Sequence, residues 1–589
     1  MEDYKGLPYG IADFRKLIQE GYYYVDKTPF IKAMKTTPYL VLLRPRRFGK
    51  SLFLSMLRYY YDIAERDNFA TLFKGTWIAD NPTQDQGAYQ VLTLDFSMIS
   101  GEIENVREEF SRHCCNRIDK FIKRYKQYYD EDDYNRIVKS TDFADKLEKI
   151  QGCAMYNDKI RLCLLVDEYD NFTNTILATK GHDVYHKITH ADGFYRDVFK
   201  KFKAIFDRIV LTSVSPVTLD DLTSGFNIAE NVSLTKQFNN VLGFTSEDVE
   251  AMLRYYVEKG LIPDEKDRMM KEMEVWYDGY CFSKSCVASG VRIFNSNMVI
   301  KYLRSYINNG EAPDEMLDDN TRTDYTKLHQ LLHLDQLNGD RKSVLMEIAQ
   351  RGYITGKIAT SFPAQRLTDP TLFTSLLFYY GMVSITGVDN TIPILGIPNN
   401  NVRRQYYDYL VAEYNKTLPV DTSIMTMAYK QAALDGKWRE MMEYLCDSYN
   451  KYSSIRNQIE GERHVQAFML AYLSLNPYYL TAPEVEVNHG YCDFFLMPEK
   501  DKIPNMEHSY IIELKYLSSG DTDAKAEAQW QEAVEQIHRY MQAPKVHLLS
   551  RGTTLHAIVL QIKGAELYCT EEVECLDFTQ VANSSLEIV

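Results

Sequence analysis

The chain has 589 residues, a net charge of −15, 45% apolar and 25% charged residues. That length is too great for one core, and that composition is one of folded protein, which excludes a disordered chain and implies several domains. The acidic balance excludes coating of nucleic acid through the overall field, but not a local basic groove, because salt confines a field to about 8–10 Å.

In chain order, PYLVLL (Pro38–Leu43) predicts a short buried strand and SLFLSMLRYYYDIA (Ser51–Ala64) a helix. YQVLTLDFS (Tyr89–Ser97) alternates as a strand, and 101–149 is mostly helical and charged. IRLCLLVDE (Ile160–Glu168) is an apolar run ending in acids, FKKFKAIFD is helical, and RIVLTSVSP (Arg208–Pro216) is a strand ending in hydroxyls. Strands interleaved with helices imply an α/β domain with a mostly parallel sheet covered on both faces. Ser246–Gly260 opens on a capping serine and closes on glycine, so it is a helix. Helices dominate to about Asn457, with a polar, acidic linker at Asn309–Asp324. From Gly461 a helix, two strands and another helix form a separate α/β domain. The expected domains are 1–245, a helical lid at 246–308, a mostly helical connector at 309–457, and 458–589. The ten cysteines lack any C-x-x-C pair, which points to reduced thiols in the cytoplasm. MEDYKGLPYG has no basic-then-apolar leader, and no apolar run approaches the ~18 residues of a membrane span.

RPRRFGKSL (Arg44–Leu52) has the ingredients of a phosphate loop. A strand delivers the chain to a tight turn, a helix N-terminus stands behind it, Lys50 supplies charge and Ser51 a hydroxyl for Mg²⁺. Arg44, Arg46, Arg47, Phe48, Gly49 and Leu52 complete the expected shell around ATP. The first glycine of G-x-x-x-x-G-K-[ST] is absent, and Arg44 holds its place. The companion strand end supplies Asp167 for magnesium and Glu168 to polarise the attacking water. Ser213, at the end of a third strand, is placed to sense the γ-phosphate.

In the C-terminal part, GYCDFFLM (Gly490–Met497) carries Asp493, and YIIELKYL (Tyr510–Leu517) carries Glu513 and Lys515. Side chains two apart on a strand share a face, so Glu513 and Lys515 project together, with Asp493 beside them in an antiparallel pair. Two carboxylates and a lysine suit Mg²⁺-dependent phosphodiester hydrolysis. AVEQIHRYM carries Gln536 and Tyr540 one helical turn apart and on the same face. The basic run Arg117–Tyr129, interleaved with aromatics, reads as a solvated helix face, with nucleic-acid contact as the alternative.

YGIADFRKLIQEGYYYVDKTPFI, RPRRFGKSLFLSML, LLVDEYDN and WYDGYCF together resemble the AAA-ATPase-like family of bacterial and archaeal proteins, which commonly joins an ATPase to a PD-(D/E)XK nuclease-like domain. The resemblance implies that arginine is routine at position 44. It also implies that an acid opening GERHVQAFMLAYL, here Glu462, can complete the metal site. The chain departs from the family at Cys281, where a basic residue is usual. The Q-x-x-x-Y helix resembles the one beside the active site of RecB-type nucleases, which implies that Gln536 and Tyr540 contact substrate or steady the lysine. The expected function is an ATPase coupled to a Mg²⁺-dependent nuclease acting on nucleic acid, DNA rather than RNA, with no membrane partner and a homo-oligomer left open. The alternative is a nucleotide-switched regulator that binds nucleic acid or protein through an inactive nuclease fold.

Overall fold

The computed structural model describes residues 4–99, 106–157, 159–180, 182–189, 193–217, 228–317, 341–361, 370–416, 419–455, 461–487, 490–500 and 503–574. The second part of the expected linker, from 318 to 324, lies outside them. The described residues fall into two compact units, one drawn from 1–344 and 354–402 and the other from 345–353 and 403–589.

The first unit is built on a five-stranded sheet of β1 (Tyr39–Leu43), β2 (Gln90–Asp95), β3 (Leu162–Asp167), β4 (Arg208–Ser213) and β5 (Glu230–Asn231), in the order β2-β3-β4-β1-β5. Every paired neighbour runs parallel. Leu162 to Val166 are at most 1% exposed, as expected of a strand covered on both faces. Burying each such Val or Leu contributes about 1.5–3 kcal/mol. Because β4 lies between β1 and β3, the loop after β1 and the acids at the end of β3 meet across the end of β4. Helix α1 (Lys50–Tyr61) follows β1 after a six-residue turn, and buries Phe53, Leu54, Met56 and Leu57.

Helix α2 (Val106–Arg124) carries the first part of the basic run. Phe121, Tyr125 and Tyr129 are buried, and the Tyr125 hydroxyl donates to Asp62 at 2.8 Å. Arg124 pairs with Asp62 and Glu65. Phe121, Tyr125 and Tyr129 therefore pack inward, and Tyr128 is the half-buried aromatic of the run.

Helix α3 (Ser246–Glu258) is capped by Thr245 and not by Ser246. Thr245 Oγ1 accepts from the Asp248 N–H, and Asp248 Oδ2 accepts from the Thr245 N–H, a reciprocal capping box. Lys27 reaches the same Asp248 at 2.9 Å and ties the YVDKT segment to this helix. The stretch expected to be mostly helical also contains β6 (Tyr353–Thr355), β7 (Ser384–Asp389) and β8 (Ile392–Gly396), a three-stranded sheet in the order β6-β8-β7.

The second unit carries a mixed five-stranded sheet. It comprises β9 (Tyr479–Val487), β10 (Gly490–Pro498), β11 (His508–Leu517), β12 (Thr554–Lys563) and β13 (Glu566–Glu572), in the order β13-β12-β11-β10-β9. Three of these strands go beyond the two read from sequence. The β11–β12 pair is parallel and the others antiparallel. Helix α4 (Glu462–Leu473) precedes the sheet. Helix α5 (Asp523–Met541) makes the long crossover between β11 and β12 that a parallel pair requires, and buries Ala533, Ile537 and Tyr540 against the sheet.

Among the described residues all nine cysteines are free thiols, and no helix is long and apolar enough to cross a membrane.

Candidate functional sites

The turn between β1 and α1 needs two left-handed residues, Arg47 (φ 67°) and Gly49 (φ 94°). Gly49 occupies the N-cap position of α1. Glycine adopts this conformation without strain, whereas arginine is held there by its surroundings. The Phe48 carbonyl accepts from the Gly243 N–H at 3.0 Å, and the Arg47 carbonyl accepts from the Ser296 hydroxyl at 3.2 Å. The turn opens on a cavity of about 550 Å³. Arg46, Arg47, Phe48, Gly49, Lys50, Ser51 and Leu52 all line it, as does Glu168. Its far wall includes Gly10 to Ala12 and Tyr23 to Val25 of the N-terminal segment.

The acids after β3 meet the loop directly. Ser51 Oγ donates to Asp167 Oδ2 at 2.5 Å, and Thr212 Oγ1 donates to Asp167 Oδ1 at 2.7 Å. The next residue, Glu168, is itself left-handed (φ 49°), which turns the chain sharply after the strand. Lys50 is buried, and its ammonium donates to the carbonyls of Arg44 and Pro45, both at 3.0 Å. Burial lowers its pKa, opposed by the charges of Glu168 and Asp167.

Two residues expected in this shell have other partners. Arg44 is 1% exposed. Its guanidinium donates to the carbonyls of Leu43 and Ser233 at 2.8 Å and of Phe238 at 2.6 Å. It also stacks 4.0 Å from the Phe282 ring centroid. Burial lowers its pKa to about 9. Ser213 donates its hydroxyl to the buried carboxylate of Asp170. Strand alternation explains this: Thr212 faces Asp167 and Ser213 faces away. Ser215 donates to Asp170 through both its hydroxyl and its N–H, and burial still raises Asp170 to about 6.

WYDGYCF walls the loop from the other side. Phe48 packs edge-on against Tyr280 and Phe282, with centroids 5.0 and 5.6 Å away. Gly279 is left-handed (φ 91°), and a Cβ there would stand 2.1 Å from the Pro398 carbonyl oxygen, so only glycine fits. Cys281, where a basic residue was the expected type, is buried. Its N–H donates to Ser384 Oγ at 2.7 Å and its carbonyl accepts from Ile385. Position 281 thus packs against β7 and is not among the residues that line the cavity.

In the second unit the β10–β11 register, Phe494 against Ile512, brings Asp493 level with Glu513. Asp493 Oδ2 accepts from the Leu514 N–H at 2.7 Å and Oδ1 from Gln466 Nε2 at 2.8 Å. Glu513, 3% exposed, accepts from Lys515 Nζ at 2.9 Å through Oε1. Lys515 also donates to Gln536 Oε1 at 2.6 Å. Burial raises the pKa of Asp493 well above the carboxylate range, and the Glu513 charge raises it further. Burial raises Glu513 as well, against the pull of Lys515. Tyr540 packs in the core beneath the sheet, and burial with the Glu513 and Asp493 charges lifts its phenol to about 12.

Residues 8–223 match a family model described as "Predicted AAA-ATPase", and residues 460–572 match one described as the PD-(D/E)XK nuclease superfamily. The chain joins an AAA-ATPase-like domain to a PD-(D/E)XK nuclease superfamily domain. A curated relative, "Uncharacterized protein in vnfD 5'region" of Azotobacter chroococcum mcd 1, is 27% identical over 295 residues, 48% of this chain and 50% of the relative. The chain therefore spans about half the length of that relative.

Within the nuclease-superfamily domain, Asp493, Glu513, Lys515 and Gln536 form one connected cluster. Glu462 stands apart, exposed at the start of α4, although its charge still raises both buried carboxylates. Among the described residues no three His, Cys, Asp or Glu side chains stand close enough together to hold an ion. The side chain from α4 that does reach Asp493 is Gln466, which sequence reading missed; its spacing of i, i+4 from Glu462 was the available signal. A divalent cation nevertheless fits the donor set. Glu513 Oε2 is buried with no hydrogen-bond partner, and an unsatisfied buried carboxylate oxygen is costly unless a cation faces it. In the ATPase-like domain, Ser51 and Asp167 offer oxygen donors of the kind Mg²⁺ prefers.

Proposed function

We propose that the chain is an ATPase whose nucleotide state governs a Mg²⁺-dependent nuclease acting on DNA. The observation that carries the nuclease half is the buried Asp493–Glu513 pair, with Glu513 Oε2 unpartnered and Lys515 held beside it by Gln536. Asp493 and Glu513 would hold the metal, which when bound stabilises charge on the scissile phosphate and lowers the pKa of water. Lys515, fixed by Gln536, would orient the attacking water or offset developing negative charge. Glu462, exposed on α4, would join the metal set by a side-chain movement.

In the nucleotide site, Lys50 would exchange two loop carbonyls for phosphate oxygens, a charge-assisted contact stronger than the one it leaves. The first N–H groups of α1 would face the phosphates. Ser51 and Asp167 would serve Mg²⁺, and Glu168 would take the proton of the attacking water. The free thiols suit action in the cytoplasm.

The deciding experiment offers plasmid, linear and single-stranded DNA to the full chain with Mg²⁺ or Mn²⁺, with and without ATP, beside Lys515→Ala. Metal-dependent cutting that Lys515→Ala removes is the expected outcome, and its dependence on ATP reads the coupling. No cutting under any condition, with ATP turnover intact, sinks the nuclease half.

A second reading, a nucleotide-switched binding protein, draws on one feature: both oxygens of Asp493 already have donors, as in a carboxylate kept for structure. Retention of DNA that is indifferent to Glu513→Ala would favour it.

A further inference from the structure

We propose that Arg44 is a positioning residue of the nucleotide site, acting by clamping the phosphate loop from behind and never touching phosphate; this rests on the reading of that loop as a nucleotide site. Position 44 has no need of glycine, since the left-handed residues of the turn are 47 and 49. Its side chain is directed away from the cavity into a cage of carbonyls. Leu43 and Ser233 accept from one guanidinium nitrogen, and Phe238 accepts from the other, with Asn239 at 3.5 Å. The Phe282 ring covers the guanidinium at 4.0 Å.

The cage is itself cross-tied. Asn239 Oδ1 accepts from the N–H groups of Phe282 and Ser283 at 2.9 and 3.1 Å. The turn at 233–239 and the aromatic segment thus form one wall, and Arg44 bolts the loop to it. The Arg44 main-chain carbonyl is also where Lys50 rests, so the fixed residue sets the starting point of the lysine. A planar fork of donors beneath an aromatic face is a task for arginine; a lysine ammonium cannot span the two carbonyl sets and stack as well. The acids proposed for magnesium and water lie outside this device, since Asp167 ends β3, Glu168 follows it and Ser51 is carried by α1.

The test compares the full-length wild type, Arg44→Gly, Arg44→Lys, Phe282→Leu and Lys50→Ala, by calorimetric titration with ADP and by steady-state ATP turnover. Arg44→Gly is expected to raise the ADP Kd and the KM for ATP together by tenfold or more, with kcat within about threefold of wild type. Arg44→Lys should fail to rescue, and Phe282→Leu, which keeps apolar bulk and loses the π face, should show the same split to a smaller degree. If Arg44→Lys binds ADP like wild type, charge alone suffices and the clamp is refuted. If the Arg44 variants only lower the melting temperature while the folded protein keeps its affinity, the role is structural and the proposal is equally refuted. Should Arg44→Gly not fold, Phe282→Leu decides by the same criterion. Lys50→Ala separates the two levels. If it leaves ADP affinity intact, the nucleotide-site reading falls; if it weakens binding while the Arg44 and Phe282 variants do not, only the clamp falls.

Discussion

The two candidate sites treat their carboxylates in opposite ways. In the ATPase-like domain, Asp167 accepts from Ser51, Thr212 and the Glu168 N–H, so its charge is spread over donors on three elements. In the nuclease-superfamily domain, Asp493 and Glu513 are pressed together under burial, both are driven toward the protonated form, and one oxygen of Glu513 has no donor. The first arrangement satisfies its carboxylate with donors of the chain, whereas the second leaves one carboxylate oxygen without a donor. A carboxylate of the first kind is held by the chain alone; a pair of the second kind carries electrostatic stress that a proton or, on the proposed reading, a cation would relieve.

Neutralising Glu513 tests that contrast most severely. Glu513→Gln should abolish metal-dependent cutting, a loss of about a thousandfold or more if the metal supplies several kcal/mol to the transition state. The same variant has a stability signature of the opposite sign. A carboxyl whose folded pKa lies above its unfolded value contributes stability that is present below the ordinary carboxylate range, about pH 4, and lost as pH rises through the folded pKa. Both Asp493 and Glu513 are raised, so the ion-free protein carries this penalty at neutral pH. Glu513→Gln should therefore melt at or above the wild-type temperature in EDTA at pH 7, with the difference closing toward pH 4, and Mg²⁺ should raise the melting temperature of the wild type alone. A variant less stable than wild type in EDTA at pH 7 would show that the pair is stabilising as it stands.

The contrast sharpens at Glu168. Glu168→Gln should leave ADP affinity near wild type and slow ATP turnover by about 10²–10⁴-fold, the range for loss of a general base. Equal loss of binding and turnover would instead assign Glu168 to holding nucleotide. The smallest effect belongs to Ser213. Ser213→Ala removes one donor to buried Asp170 and should cost about 1–3 kcal/mol in chemical denaturation, with ADP affinity unchanged. A change in affinity without a change in stability would return Ser213 to the nucleotide shell.

These expectations show what was legible in the chain. The parallel sheet was, because β1, β3 and β4 are apolar runs of strand length ending in loop or acid signals. The Asp493–Glu513–Lys515 convergence was legible too, since strand periodicity alone puts 513 and 515 on one face. Strand parity was the weak point elsewhere. Thr212 and Ser213 are equivalent as hydroxyls in sequence, and only the pairing of β4 with β3 decides which one meets Asp167. The α3 cap slipped by one residue because Thr245 and Ser246 are both good caps, and the choice falls to Asp248 completing a box with Thr245. Strand β9 was hidden by Pro483, a residue that weakens strand signals. The direction of the Arg44 side chain was beyond reach, because its cage is assembled from residues 190 positions or so away in sequence, which no local pattern records.

The glycine at 279 has a consequence for how this molecule tolerates variation. There the main chain of the aromatic segment lies against the main chain at Pro398 with no side chain between them. A contact made of backbone alone makes no demand on the side chains beside it, so Tyr280 and Phe282 are constrained by their own packing and not by this approach. It also rests on one codon. In a library randomised at 279 alone, survivors with nucleotide affinity should be monotonously glycine.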